Sequence, residues 1–220
     1  MANRKVPLVT DEFYHIYTRS IAYFRIFRSS ADYKRIIETI RFYTAQKPPY
    51  KFSQYLELLD QSKKEKLQQI NNRDKLVHVI AYCIMPTHIH LVLRQMQDGG
   101  ISKYANLILK SYSKYFNIKY NRLGPLWEGR FKNILVESDE QLLHLTRYIH
   151  LNPVSISLVS KAADWEFSSY KEYLGLMNEE NSICKFSDCL DISVSEYKTF
   201  VDERIEYQRE LETIKHLLLE

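Results

Sequence analysis

Cysteine is scarce and unpaired: Cys83, Cys184 and Cys189 make an odd number with no CxxC pair. That pattern excludes a disulfide framework and a zinc ribbon, and it leads us to expect small buried thiols in a reducing cytoplasm. No apolar run could cross a bilayer, because the longest, Val77 to Pro86, is interrupted by His78 and far too short. The opening stretch MANRKVPLVTDEF lacks the hydrophobic region of a signal peptide. Glycine is sparse too, with five residues and no Gly-rich phosphate loop, so ATP chemistry of that kind is not expected. No internal repeat or low-complexity segment is visible. With 220 residues the chain can bury one full core, and a second domain of ordinary size would be crowded.

The net charge of +4 hides an asymmetry. From Leu176 onward there are eleven Asp/Glu and five Lys/Arg, which leaves 26 basic and 16 acidic residues in 1–175. The basic part also holds both tryptophans and most of the 17 tyrosines. Positive charge interleaved with rings suits nucleic acid, since cations release counterions from phosphates and rings stack on unpaired bases. Composition alone favours the plainer reading, an ordinary basic surface over a Tyr-rich core.

The chain alternates strand and helix signals. Phe13 to Ser20 alternates and is rich in Tyr, Ile and Thr, which reads as a strand. A helical pattern starts at Ser30 and stops at Pro48-Pro49, and residues 50–75 are a polar excursion, helical or loose. Val77 to Met85 and His88 to Gln95 form two β-runs around a Pro86-Thr87 turn, ended by Asp98-Gly99-Gly100. Ser102 to Tyr120 is helical, Phe131 to Val136 a further strand, and Ser138 starts a helix expected to stop at Pro153. This order predicts an α+β, ferredoxin-like antiparallel sheet with helices on one face. Residues 1–175 would form the catalytic domain. Residues 176–220 would form an acidic helical tail, with a C-terminal helical pattern over Glu196 to Leu219.

Two spacings carry chemistry. In a strand, residues i and i+2 share a face, so His88 and His90 project side by side as a half-site for a divalent metal. On a helix, Tyr148 and Asn152 are i and i+4, which sets a phenol beside an amide oxygen. Each pair alone has a plain structural reading: two hydrogen-bonded histidines, and a packed tyrosine ahead of a helix end. If the helix crosses the sheet, the pairs meet at a site of two imidazoles, one carboxamide and open positions. Such a site suits Mg²⁺ or Mn²⁺ holding a phosphate. Lys110, Lys114 and Lys119 would face DNA, with Arg130 and Lys132 as further phosphate contacts. Glu137 is a candidate extra acid near the metal, and His150 should face away from Tyr148. Tyr112 and Tyr115 are rival nucleophiles, but neither has an amide partner one turn along.

Met85-Pro-Thr-His-Ile-His-Leu-Val-Leu93 resembles the HUH motif of single-tyrosine HUH transposases, the insertion-sequence-200 type. Leu126-Trp-Glu-Gly-Arg-Phe-Lys132, then Leu145-Thr-Arg-Tyr-Ile-His-Leu-Asn-Pro-Val154, resembles their REP-associated tyrosine transposase branch, and Phe13 to Ser20 is similar to its opening strand. The resemblance covers roughly residues 10–175, with Ser20 where Gly is usual and Thr87 where Asn is common. It implies a metal-dependent single-strand DNA nuclease and transposase acting on hairpin-bearing DNA. Tyr148 would be the nucleophile that forms a 5′-phosphotyrosine, and His88, His90 and Asn152 the ligands of Mg²⁺ or Mn²⁺. No membrane partner is implied, and monomer and dimer stay open. Two alternatives stay open as well: a non-catalytic nucleic-acid-binding module on this fold, and a metal-dependent phosphodiesterase that uses water.

Overall fold

The computed structural model describes residues 7–178 and 181–210. Four strands, β1 (Phe13–Arg19), β2 (Val77–Ile84), β3 (His88–Gln95) and β4 (Lys132–Val136), form one antiparallel sheet in the order β2-β3-β1-β4. Helices α1 (Ser30–Phe42) and α4 (Gly100–Lys119) make the two crossovers, which gives the expected α+β ferredoxin-like plan. Short helices α2 (Phe52–Leu56) and α3 (Asp60–Asn71) fill the 50–75 excursion. They close over a small core of Phe42, Ala45, Phe52, Tyr55 and Ile70.

Side-chain alternation sorts the sheet into two faces. Tyr14, Ile16, Ile89, Leu91 and Leu93 pack with α1 and α4 in one core. The opposite face carries Val92, Ala81 and Cys83 against α5 (Asp139–Ser155), in a second core with Leu142, Ile149 and Val154. Helices therefore cover both faces, and the expectation of helices on one face is corrected. The fifth helix is apolar along Leu142, Ile149 and Val154, and those positions bury where strand β2 also turns apolar to that side. A register shift between Val79 and Ala81 makes this possible. Val77 and Val79 face the α1/α4 side, and after the bulge Tyr82 and Ile84 do, leaving Ala81 and Cys83 for α5.

Helix α5 starts where the sequence indicates, with Ser138 Oγ accepting from the Gln141 amide. It does not stop at Pro153 but runs to Ser155. Proline lacks only its own N–H, and so close to the helix end that removes one bond while the ring is buried. At the start of α4, a side chain on Gly100 would collide with the Leu76 carbonyl, so glycine is what lets the helix begin against the sheet.

The stretch after Leu176, expected as a helical appendage, contributes to both cores. Ile183 and Cys184 join the α1/α4 side, and Leu190, Tyr197 and Val201 join the α5 side. Its described helices are α6 (Tyr170–Tyr173), just before it, and α7 (Val194–Asp202). The rest of the Glu196 to Leu219 pattern, from residue 211, lies outside the described residues.

Candidate active site

Strand register brings the site together. Antiparallel pairing sets Tyr17 opposite His90 and Arg19 opposite His88, so β1 lays Phe13, His15, Tyr17 and Arg19 on the face that carries the histidine pair. The His88 and His90 rings meet edge to face with centroids 5.0 Å apart. The turn that leads into them is pinned: the Ser20 amide donates to Thr87 O, and the Ile26 and Phe27 amides donate to Pro86 O.

Each histidine has its Nδ1 engaged. His90 Nδ1 lies 2.9 Å from His15 Nε2, and His88 Nδ1 lies 3.0 Å from Thr87 Oγ1. Neither Nε2 has a hydrogen-bond partner among the described residues. If both Nδ1 atoms carry the proton and donate it, both Nε2 lone pairs are left for a cation, with His15 and Thr87 as the outer partners that fix the tautomers. Burial lowers the pKa of His15 to about 4, and burial followed by the Arg19 charge lowers His88 to about 4. His90 is pushed well below its ordinary value by burial, with His88 and His15 adding to the effect. All three are therefore neutral near pH 7, the form that ligates a metal.

Tyr148 stands on α5 above this pair. Its ring meets His90 edge-on at 6.1 Å and His15 at 6.5 Å, and it is 37% exposed. One turn on, Asn152 Nδ2 donates to the Tyr148 carbonyl at 3.0 Å, which leaves Oδ1 as the atom able to bind a cation. Among the described residues no hydrogen bond joins Asn152 to the histidines. Among the described residues no group of three or more His, Cys, Asp or Glu could hold a metal. Two imidazole nitrogens and one amide oxygen are donors that could hold a divalent cation in an open site, and they are too few for a closed cage. His150 faces away as expected, buried between Tyr197 Oη and Ser169 Oγ.

The basic residues do not form one patch. Lys132 reaches over Tyr17 on the histidine face, with its Nζ 5.8 Å from the ring centre, and with Arg130 it borders a cavity beside Tyr17, Arg19 and Glu128. Lys110 and Lys114 lie on the other layer, lining a groove with Arg35, Phe52 and Tyr115. Arg130 also lines a groove with Lys110, so the two layers communicate around the β4 edge. Lys119 lines the same groove as Lys114, and its ammonium is ion-paired with Asp32 Oδ1 at 2.7 Å, a partner the sequence reading did not foresee. Glu137 is exposed at the start of α5, roughly 15 Å along the axis from Tyr148 at 1.5 Å per residue. Its amide donates to Gln141 Oε1, and no hydrogen bond joins it to His88 or His90 among the described residues.

Sequence reasoning missed His15, Tyr17, Arg19 and Glu128. Arg19 is bound to Glu128 through Nε and Nη2, which holds the Trp-Glu-Gly-Arg segment against the strand that faces the histidines. Period-two alternation within Phe13 to Ser20 already placed His15, Tyr17 and Arg19 on one face. The register against β3 was the missing information. Both departures from the family pattern are accommodated. Ser20 has φ −71°, needs no glycine, and its Oγ donates to Phe24 O, while Thr87 supplies the partner of His88.

Residues 49–152 match the family described as Transposase IS200 like. A REP-associated tyrosine transposase of Haemophilus influenzae is 32% identical over 102 residues, 41% of this chain and 57% of that protein's length. A solved structure described as the REP-associated tyrosine transposase bound to a REP hairpin is similar in fold, with TM-score 0.51 and 17% identity. The alignment covers 87% of this chain and 99% of that one. The resemblance to REP-associated tyrosine transposases of the IS200-like family thus holds in sequence and in fold. No helix among the described residues is long and apolar enough to cross a membrane.

Proposed function

We propose that this chain, similar over its central half to IS200-like transposases, nicks and rejoins hairpin-bearing single-stranded DNA through Tyr148. One observation carries the reading: the Tyr148 ring stands edge-on over a neutral histidine pair whose Nε2 atoms have no partner among the described residues. Tyr148 Oη attacks the phosphorus, a P–O bond to tyrosine forms, and the bond to O3′ breaks. The products are a 5′-phosphotyrosine and a free 3′-hydroxyl. The phenolic proton passes to the water that the half-exposed ring faces, and the departing O3′ takes one up. Bond energy is kept in the ester, so a second 3′-hydroxyl can reverse the step without ATP. His88, His90 and Asn152 would hold a divalent cation, Mg²⁺ or Mn²⁺, which when bound would polarise a non-bridging phosphate oxygen. Lys132 and Arg130 grip the strand on the histidine face, and Lys110 and Lys114 bind flanking DNA around the sheet edge.

The test is a covalent protein–DNA adduct that survives denaturing electrophoresis and whose peptide map places the DNA on Tyr148. A nicked product without any adduct would favour water as the nucleophile, and binding without nicking would favour a non-catalytic module. His88→Ala and His90→Ala are each expected to lower nicking on the order of 100-fold or more while hairpin binding survives, because affinity comes mostly from phosphate contacts elsewhere. Nicking rate and binding, measured side by side with Mn²⁺ affinity, check this. Full nicking by the double variant would remove the metal site from the mechanism.

A further inference from the structure

Tyr148 also borders a separate groove that neither His88 nor His90 lines. Helix α5 lines it with His144, Arg147, Tyr148 and Leu151, and the segment after α7 supplies Arg204, Tyr207 and Gln208. Arg147 is fixed in place, with its guanidinium 3.8 Å above the Phe200 ring, Nη1 donating to Phe200 O at 3.2 Å, and Nη2 2.8 Å from His144 Nδ1. Arg204 is exposed, lies over the Tyr207 ring at 5.0 Å, and has no carboxylate partner among the described residues. Burial, then the charge of Arg204, lower the pKa of the Arg147 guanidinium, against the opposing pull of Tyr197 and Glu203. Two cations held toward one groove, against the cost of burial and mutual repulsion, make a place for an anion. The exposed carboxylates of Glu206 and Glu210 are not among the side chains that line it.

We propose that this groove binds a phosphodiester of single-stranded DNA running past Tyr148, gripped by Arg147 and Arg204 while Tyr207 offers a base a stacking face. The inference rests on Tyr148 being the nucleophile of a DNA strand-transfer reaction. It gives the acidic C-terminal segment a part in substrate binding, since Arg204 and Tyr207 lie beyond the region that matches the transposase family. A guanidinium suits the role because it can meet two phosphate oxygens at once, and an exposed tyrosine ring stacks on any base.

Arg147 also fastens α7 to α5, so the test uses Arg204, whose exposed side chain can change without disturbing the core. The full-length protein is titrated with fluorescein-labelled oligothymidylate over a range of KCl concentrations. Arg204→Ala is expected to weaken binding several-fold and to flatten the slope of log affinity against log salt by about 0.7, one phosphate contact. Arg204→Lys restores the slope. Lys198→Ala, outside the groove and ion-paired with Asp202, leaves it unchanged. Equal slopes for wild type and Arg204→Ala would overturn the groove alone. A wild type that does not bind the oligonucleotide would overturn both the groove and the reading it rests on.

Discussion

Tyr148→Phe is expected to abolish both the covalent adduct and nicking, a loss on the order of 10³-fold or more, while the protein melts at nearly the wild-type temperature. The substitution removes one oxygen from a ring that is 37% exposed, so the packing against His90 and His15 survives and only the attacking atom is gone. The rivals behave in the opposite sense. Tyr112 is fully buried and its hydroxyl donates to Ile26 O at 2.7 Å, and burial raises its pKa far above the usual phenol value. Tyr112→Phe therefore leaves the adduct intact but strands a buried carbonyl, at about 1–2 kcal/mol of stability. Tyr115 donates to the Asp32 carboxylate, on the layer opposite the histidines, and Tyr115→Phe keeps the adduct too. Adduct yield and thermal melting on the three variants separate chemistry from structure. An adduct in Tyr148→Phe, or its loss in Tyr112→Phe without a drop in melting temperature, would move the nucleophile elsewhere.

Those contrasts show what was legible in the sequence. Alternation placed His88 beside His90, and helical spacing placed Tyr148 beside Asn152, because both periodicities are local and rigid. The meeting of the two pairs was conditional on α5 crossing the sheet; α5 packs on the face opposite α1 and α4 and sets the Tyr148 ring beside His90, while Asn152 bonds only the Tyr148 carbonyl among the described residues. Two-sided coverage was harder to foresee. It depends on the bulge at Val79–Ala81, where one extra residue reverses which side chains of β2 face each layer, and a run of eight apolar or half-apolar residues gives no sign of it. Lys119 illustrates a different limit. As one lysine among several on α4 it looked available for DNA, and only the arrival of Asp32 from a helix 87 residues away engages it. Arg204 is the converse: an arginine in an acidic tail carried no signal until the fold set it beside Tyr148.

That same Asp32 supports the second large prediction, that Asp32→Ala costs about 3 kcal/mol of folding stability. The side chain has no solvent exposure and accepts five hydrogen bonds: from Lys119 Nζ at 2.7 Å, Tyr120 Oη at 2.7 Å, Tyr115 Oη at 3.0 Å, and the Arg28 and Ser29 amides at 2.9 and 3.0 Å. It thus closes the capping box at the start of α1 and ties down the last turn of α4, the two helices that cover one face of the sheet. Removing it takes the anionic partner from an ammonium that is only one-third exposed, and the acceptor from two phenols and two backbone amides. Burial pushes the carboxyl pKa up, but the bonds from Lys119, Tyr120, the Arg28 amide and Tyr115 outweigh it and bring the group down to about 2. A carboxylate with a folded pKa below its unfolded value of about 3.9 stabilises fully above that value. Its contribution, on the order of 2 kcal/mol, disappears as pH falls from about 5 toward 2. Urea unfolding of the wild type at pH 7 and pH 3 should show about half of that loss, roughly 1 kcal/mol, and Asp32→Asn, which cannot ionise, should show a shallower acid slope from a lower starting stability. If Asp32→Asn followed the wild-type acid profile, the acid sensitivity would belong to other carboxylates and the junction of α1 with α4 would rest on packing alone.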